Sequence, residues 1–333
     1  MMSTKRIDTH FHILLPSFLE AVRAAGNDPA GWIVTEWSPQ DAIAAMDKMG
    51  ITKTLLSFTS PGPGVSGPGA EGKKLCRSLN EETLAIVKQY PDRFGWYASL
   101  PNWHDVEGTI EEVKWALNEA TDGFIIMSNY DDMLLGDPKF EPIWAALNEV
   151  GAVVFIHPTE TNIKPKYIAS SVPQPLIDYP LATTRTAIDL VLTKTLAKNP
   201  DVKLILSHAG GALPFLADRV LSLVGLFGMS ADDAKRDMQR FWLDVALSTS
   251  RSQLQVLLDF TTPDKLLFGT DWPYVKIDNA LRLIKQLDDY LSNHPSSAEL
   301  SQAIYHDNAA KLFGWTTLEV ERPADAIDPS SVS

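Results

Sequence analysis

Four histidines and one aspartate stand at the ends of apolar segments, where such side chains can bind a metal ion or transfer protons. The segment IDTHFHILL places His10 and His12 two residues apart, so that both point to the same face of one strand. His157 ends the segment VVFIH, His208 ends LILSH, and Asp271 ends LLFGTD. Two imidazoles side by side among apolar residues are costly to bury unless a partner binds them, and a metal ion is a natural partner.

Each of these residues has a simpler explanation when it is taken alone. A histidine at a strand end is commonly a packed core residue, and an aspartate after a strand is commonly a helix N-cap. The conjunction is more informative, because four of the seven histidines stand at such ends while His104, His294 and His306 do not. If the segments are strands of one parallel barrel, the five side chains meet at one rim, which favours a metal site.

The elements that would position these residues alternate along the chain. Eight short segments have the composition of buried strands: Arg6–Leu14, Thr52–Thr59, Phe94–Leu100, Gly123–Ser128, Ala152–His157, Lys203–His208, Trp242–Leu247 and Leu266–Asp271. Amphipathic segments between them predict helices: Ser38–Met49, Leu79–Tyr90, Asp105–Glu119, Lys139–Val150, Leu181–Lys198, Ala212–Leu226, Ser252–Phe260 and Asp278–His294. Eight strands alternating with helices predict a closed (β/α)₈ TIM barrel. The alternative is an open doubly wound sheet, but no GxGxxG motif follows the first strand.

Two long connections interrupt this alternation. Residues Ser60–Gly72 follow the second strand and are rich in Gly and Pro, and Thr159–Tyr179 follow the fifth strand and carry three prolines. Loops after barrel strands lie on the catalytic face, so both segments are candidates for lids or pocket walls, or for plain surface loops. The polar tail after Trp315 is expected to pack on the outside or to fray, and residues 1–333 are expected to form a single domain.

Composition excludes several classes of protein. The chain has 333 residues, 45% of them hydrophobic, which is enough for a large core. A formal net charge of −13 argues against a nucleic-acid partner, which needs a basic surface. No segment is long and apolar enough for a membrane span, and the N-terminus has no apolar signal core. The single cysteine, Cys76, has no motif of a nucleophile around it and is expected to be a bystander near a loop, so we expect a cytoplasmic protein.

At these motifs the chain resembles the amidohydrolase superfamily. IDTHFH, FIHP, SHAGG and GTDWP stand in the order typical of its aminocarboxymuconate-semialdehyde decarboxylase branch. The resemblance runs from residue 6 to about residue 315, where HDNAAKLFG (residues 306–314) is similar to the closing helix of that branch. Among the enzymes of the branch, the motifs and loops look most similar to those of the 6-methylsalicylate decarboxylases.

The resemblance implies a role for each of the five residues. His10, His12, His157 and Asp271 match the metal ligands of the branch, and His208 matches a histidine beside the metal. The implied cofactor is one divalent ion, Zn²⁺ or Mn²⁺. Members with two metals carry a carboxylated lysine at the end of the fourth strand, but the segment DGFIIMSNY contains no lysine.

The resemblance also implies an assembly. Arg219 stands eleven residues after His208, and an arginine at this spacing in the branch reaches the pocket of a neighbouring subunit and holds a substrate carboxylate. A homodimer or a dimer of dimers is therefore expected. The alternative for Arg219 is a salt bridge on a helix surface.

Two reactions are compatible with these residues. In one, a metal-activated water hydrolyses an amide or lactone, and Asp271 and His208 transfer protons. In the other, an ortho-hydroxybenzoate such as 6-methylsalicylate binds the metal, Asp271 protonates the ring carbon that bears the carboxylate, and CO₂ leaves a phenol. The resemblance and the single metal favour decarboxylation. No lysine motif for pyridoxal phosphate and no glycine fingerprint for a flavin is visible, so no organic cofactor is expected.

Aromatic residues near the strand ends, Phe11 and Trp272 among them, suit a flat aromatic carboxylate as substrate, although core packing accounts for most aromatic residues. A barrel that binds a metal or ligand without turnover is a third possibility. The presence of both Asp271 and His208 argues against this possibility, because a purely structural site needs no additional acid or base.

Overall fold

Eight parallel strands follow one another around a barrel in the computed structural model, which describes residues 5–32 and 36–315. They are β1 (Arg6–His12), β2 (Ile51–Ser57), β3 (Phe94–Ser99), β4 (Gly123–Met127), β5 (Val153–His157), β6 (Lys203–Leu206), β7 (Trp242–Asp244) and β8 (Leu266–Leu267). Each of the eight predicted strands is present, and the observed strands are one to four residues shorter at their C-terminal ends wherever these ends differ. The tail predicted after Trp315 lies outside the described residues.

The barrel is closed by hydrogen bonds between its first and last strands. Neighbouring strands pair in parallel from β1 round to β8. The backbone N–H of Thr9 then donates to the carbonyl of Phe268 at 2.9 Å, and that of Asp271 donates to the carbonyl of His10 at 2.8 Å. The predicted (β/α)₈ barrel is therefore confirmed, and the alternative of an open sheet is wrong.

Helices connect the strands and cover the barrel. They are α1 (Pro16–Ala24), α2 (Pro39–Met49), α3 (Ala70–Gln89), α4 (Val106–Asn118), α5 (Glu141–Glu149), α6 (Asp178–Leu192), α7 (Thr195–Lys198), α8 (Leu213–Leu221), α9 (Ala231–Met238), α10 (Arg251–Phe260), α11 (Ile277–Ser292), α12 (Ser297–Gln302) and α13 (Asn308–Leu312). Helix α2 shows the local signals well: the Ser38 side chain accepts a hydrogen bond from the backbone N–H of Asp41, and Gly50 ends the helix at φ 67°.

Some helix predictions need correction. The segment Leu181–Lys198 is two helices, because Lys194 adopts a left-handed φ of 60° between α6 and α7. Helix α3 begins at Ala70, inside the predicted loop Ser60–Gly72, so Cys76 lies within a helix and not near a loop. The sequence analysis also missed α1, α9 and α12.

The loop after β5 contacts the segment after α1. The backbone N–H of Gln174 donates to the carbonyl of Ala30 at 3.3 Å, and Gly31 lies against Tyr167 and Pro173. Both segments lie on the side of the barrel where the strands end. They therefore form a wall on that face, and whether either moves as a lid stays a prediction.

The core fills the barrel and the layer between strands and helices. Phe155, Ile205 and Leu243 are fully buried within it. No helix among the described residues combines the length and the hydropathy needed to cross a membrane.

Candidate metal centre

The structure brings the five predicted residues together at the C-terminal rim of the barrel. The two nearest imidazole nitrogens, His10 Nε2 and His12 Nε2, are 3.2 Å apart. One carboxylate oxygen of Asp271 lies 3.0 Å from His12 Nε2 and 3.5 Å from His10 Nε2. The rings of His157 and His208 lie 5.5 Å and 4.8 Å from that of His10.

Two overlapping groups of ligand atoms have the spacing of a metal site. One is His10, His12 and His157, and the other is His10, His208 and Asp271, each with its ligand atoms within 4.8 Å of one another. Two nitrogen or oxygen ligands of one ion at about 2.1 Å lie about 3 to 4 Å apart. The cluster therefore needs only small side-chain movements to hold a divalent ion.

Each residue is placed in the cluster by its position on a strand or just after one. Alternation along β1 places His10 and His12 on the inner face, and His157 is the last residue of β5. His208 and Asp271 follow β6 and β8, and both have a left-handed backbone, with φ of 52° and 62°. Such a backbone is uncommon for a residue with a side chain and costs about 1–3 kcal/mol.

Hydrogen bonds at Nδ1 fix which nitrogen of each imidazole faces the cluster. In three of the histidines, Nδ1 lies beside a backbone carbonyl oxygen: His12 beside Ser57 (3.2 Å), His157 beside Pro158 (2.7 Å) and His208 beside Ala246 (3.3 Å). A carbonyl only accepts, so Nδ1 must carry the proton and donate it. The Nε2 atoms are then unprotonated in the neutral rings, which is the form that binds metal ions.

The sequence analysis missed Asp244, which holds the fourth histidine. Asp244 Oδ2 accepts a hydrogen bond from His10 Nδ1 at 3.0 Å, and both side chains are fully buried. Its other oxygen accepts from the backbone N–H groups of His208 and Ala246 at 3.2 and 2.9 Å. The available signal was an aspartate at the end of a buried strand, in WLD.

A second missed carboxylate lies below the cluster. Asp8 is fully buried and accepts hydrogen bonds from the Thr270 hydroxyl at 2.6 Å and from the backbone N–H of His10 at 2.9 Å. It thereby ties β1 to the segment that carries Asp271. Burial raises the pKa of Asp8 to about 7.

The electrostatics of the cluster favour a bound cation. Burial lowers the pKa values of His12 and His208, and it lowers that of His157 well below its ordinary value. Burial also acts against a charged His10, but the carboxylate of Asp244 outweighs it and raises the pKa of His10 to about 9.

Asp271 completes this set of electron-pair donors. Burial acts against its ionisation, but its contact with His12 and the positive charge of His10 outweigh burial and lower its pKa. His10 Nε2, His12 Nε2 and an oxygen of Asp271 lie within 3.5 Å of one another. When the rings are neutral, these three atoms repel one another unless a cation lies between them. A proton on His10 is one such cation, and a metal ion can replace it, so the residues present fit a metal ion.

A cavity of about 530 Å³ lies above the cluster. His157, His208 and Asp271 form part of its wall, together with the aromatic rings of Trp32, Tyr179 and Tyr274 and the side chains of Asp28, Thr59, Pro175, Leu176, Pro180, Leu247, Ser248, Gln253, Val275 and Asn279. A cavity of this size with aromatic walls and a few convergent polar groups is typical of a small-molecule site.

Three residues predicted to bind substrate lie elsewhere. Phe11 is fully buried and Trp272 nearly so, and their rings stack with centroids 4.8 Å apart. Arg219 is exposed on α8. None of the three lines the cavity of its own chain, so a role in substrate binding stays a prediction for each of them.

Comparisons with known proteins find a family and several relatives of this chain. Residues 7–315 match the profile of the amidohydrolase family. The 6-methylsalicylic acid decarboxylase of Penicillium expansum is 36% identical over 292 residues, which cover 86% of this chain and 90% of that protein. The crystal structure of an amidohydrolase II is 31% identical with a TM-score of 0.84, covering 93% of this chain and 99% of the other.

A more distant structure shares the fold. The 5-carboxyvanillate decarboxylase of Novosphingobium aromaticivorans, solved with bound manganese, superposes with a TM-score of 0.79 at 20% identity, covering 93% of this chain and 97% of that one. The family match spans nearly the whole chain and includes every residue of the cluster. The chain therefore belongs to the amidohydrolase family.

Proposed function

We propose that this protein is a metal-dependent, non-oxidative decarboxylase of ortho-hydroxybenzoates such as 6-methylsalicylate, which releases CO₂ and a phenol. The observation that carries the proposal is the carboxylate of Asp271, which lies among the Nε2 atoms of the histidines and also faces an aromatic-walled cavity. The similarity to a protein named 6-methylsalicylic acid decarboxylase supports the choice of substrate.

The residues that would hold a single divalent ion are His10, His12, His157 and Asp271, with His208 beside it. An ion bound there supplies a Lewis acid that neutralises the carboxylate and phenolic oxygens of the substrate. Nitrogen and oxygen ligands suit both Zn²⁺ and Mn²⁺, and the manganese in a structure of the same fold favours testing Mn²⁺ first.

In this proposal Asp271 moves the proton. A metal ligand must be deprotonated, so Asp271 enters the reaction as a carboxylate and can take the phenolic proton of the substrate. It then delivers that proton to the ring carbon that bears the carboxylate. The bond from this carbon to CO₂ breaks, its electron pair returns to the ring, and solvent protonates the phenolate. His208, held by Ala246, keeps its neutral ring beside Asp271.

We also propose that two chains assemble through α8 and the turn that follows it. Phe215, Leu226 and Phe227 are 80%, 79% and 75% exposed, which is unusual for side chains of this size. Arg219 lies one turn after Phe215 on the same face of α8 and makes no ion pair with any other described residue. Burying this surface against a second chain would carry Arg219 toward the cavity of the partner, where it can pair with a substrate carboxylate.

Cys76 is free and buried, as expected of a protein in a reducing compartment. We propose the cytoplasm as its location.

The deciding experiment is turnover of 6-methylsalicylate in D₂O by protein loaded with Mn²⁺ or Zn²⁺. We expect CO₂ and 3-methylphenol with one deuterium on the carbon that carried the carboxylate. If salicylates are inert while a lactone or an amide is opened with uptake of ¹⁸O from water, the protein is a hydrolase and the proposal is wrong.

A further inference from the structure

The cavity contains a carboxylate that the proposed reaction does not use. Asp28 lies in the turn after α1 and forms part of the cavity wall. One of its side-chain oxygens accepts a hydrogen bond from the backbone N–H of Ala30 at 2.9 Å, and its carbonyl accepts from Gly31 at 2.9 Å. The loop after β5 braces the same turn through Gln174 and Ala30. The carboxylate is therefore held in place at the wall.

The positive side chain described near Asp28 is already paired. Lys166 lies close enough to favour the charge of Asp28, but its ammonium group pairs with Glu160 at 3.2 Å, and neither residue lines the cavity. Among the described residues that line the cavity there is no lysine or arginine, and its other polar groups include the neutral side chains of Ser248, Gln253 and Asn279. The proposed cations are the divalent ion and Arg219 of a second chain. In the proposed reaction both cations act on the carboxylate at the reacting carbon, so a second substrate carboxylate would have no counter-charge among the residues that line the cavity.

We propose that Asp28 is a specificity-determining residue that restricts the substrate to aromatic acids with a single carboxylate. This inference rests on the proposed function, because it takes the cavity to bind an ortho-hydroxybenzoate. A neutral ring substituent, such as a methyl group, can contact the aromatic and aliphatic side chains of the cavity without electrostatic repulsion from Asp28. A second carboxylate would be desolvated beside Asp28.

The width of the cavity allows an estimate of how much Asp28 weakens the binding of a second carboxylate. A volume of 530 Å³ corresponds to a width of about 8 Å. Two like charges about 8 Å apart at an effective dielectric constant of about 20 weaken binding by a factor of about 30. Burial raises the pKa of Asp28 to about 6, so the side chain is ionised at pH 8, where the test should be made.

The test compares two inert ligands that differ in one substituent. In 3-methyl-2-nitrophenol a nitro group replaces the leaving carboxylate of 6-methylsalicylate, and in 3-hydroxy-2-nitrobenzoate a carboxylate also replaces the methyl group. Neither can lose CO₂ at the reacting carbon. Calorimetric titration of the Mn²⁺-loaded protein gives the ratio of their dissociation constants. We expect Asp28→Asn to improve binding of the carboxylated ligand relative to the other by about tenfold or more.

Asp278→Asn is the matched control, because it makes the same chemical change at another carboxylate. Asp278 is exposed at the start of α11 and is next in sequence to Asn279 of the cavity wall, but it does not line the cavity. Removing its charge should change the ratio less than twofold. Asp28→Ser is a second neutral variant, because a serine can still accept the hydrogen bond from Ala30 and preserve the turn.

The outcomes separate this inference from the proposed function. A ratio that is unchanged in both Asp28 variants, or that changes equally in Asp278→Asn, overturns the role of Asp28. Because the ligands are not consumed, the ratio can be measured even if no salicylate is decarboxylated. If the ratio depends on Asp28 but the wild-type protein decarboxylates no salicylate, the proposed reaction is wrong and the role of Asp28 in selectivity still holds.

Discussion

The carboxylate of Asp244 accepts a hydrogen bond from His10 Nδ1 at 3.0 Å, and both side chains are completely buried. The same carboxylate accepts the backbone N–H of His208. One residue at the end of β7 therefore orients a proposed metal ligand on β1 and fixes the turn that carries His208. The charge of Asp244 also makes His10 a stronger electron-pair donor.

We expect Asp244→Asn to weaken binding of the metal by about 10- to 100-fold, because an amide lacks the charge that supports His10. Chelator competition on the folded variant measures this affinity. Asp237→Asn is the control, since Asp237 is also buried but lies on α9 beside Arg240. An unchanged metal affinity in Asp244→Asn would show that Asp244 has no such role.

We expect Asp271→Asn to lower the rate of decarboxylation by about 10²- to 10⁴-fold, because the amide cannot accept and deliver the proton. Metal content must be measured on the same sample, since loss of the ion would imitate loss of the proton carrier. Asp264→Asn, an exposed change in the turn before β8, should leave the rate unaltered. If Asp271→Asn contains its full complement of metal and keeps the wild-type rate, Asp271 does not carry the proton, and His208 becomes the candidate.

We expect Phe215→Ser to shift the protein from dimer toward monomer in light scattering, because this ring is 80% exposed in the single chain. Leu281→Ser, at a partly exposed leucine on α11, should leave the assembly unchanged. A wild-type monomer with full activity would refute the proposed assembly.

The position of Arg219 in that assembly can be tested separately. Co-expression of inactive Arg219→Ala and Asp271→Ala chains should restore activity in some mixed dimers, since one of their two sites would contain both native residues. If activity stays at the level of the two parents, Arg219 does not act across the interface.

We expect the Cys76 thiol to resist iodoacetamide in the native protein at pH 8. Burial raises its pKa well above the ordinary value, and the thiol donates to the carbonyl of Ser99 at 3.2 Å. Mass spectrometry should find alkylation only after unfolding in urea. Complete alkylation of the native protein would show that α3 opens readily.

The barrel and the central cluster could be predicted because their signals are local. His10 and His12 share a strand face through alternation, and His157, His208 and Asp271 each follow an apolar run. Parallel strands bring such ends to one rim, so sequence position alone was enough to place these residues together.

The supporting residues could not be predicted in the same way. Asp244 matters because it contacts His10, which is 234 positions away, and no local pattern encodes that contact. Asp28 likewise joins the cavity only through the fold of the turn after α1. Phe11 and Trp272 were predicted as substrate contacts because they are aromatic residues near strand ends; in the structure they pack on each other, and their role in substrate binding stays a prediction.

The left-handed backbone conformations of His208 and Asp271 cost folding stability, while the side chains at these two positions serve the proposed activity. Glycine would relieve the conformational cost at either position, and it would also remove an imidazole or a carboxylate from the site. Selection of variants for heat resistance alone should therefore enrich glycine at these two positions while turnover declines. Such a trade-off is common where a site is built from conformations that the rest of the fold must sustain.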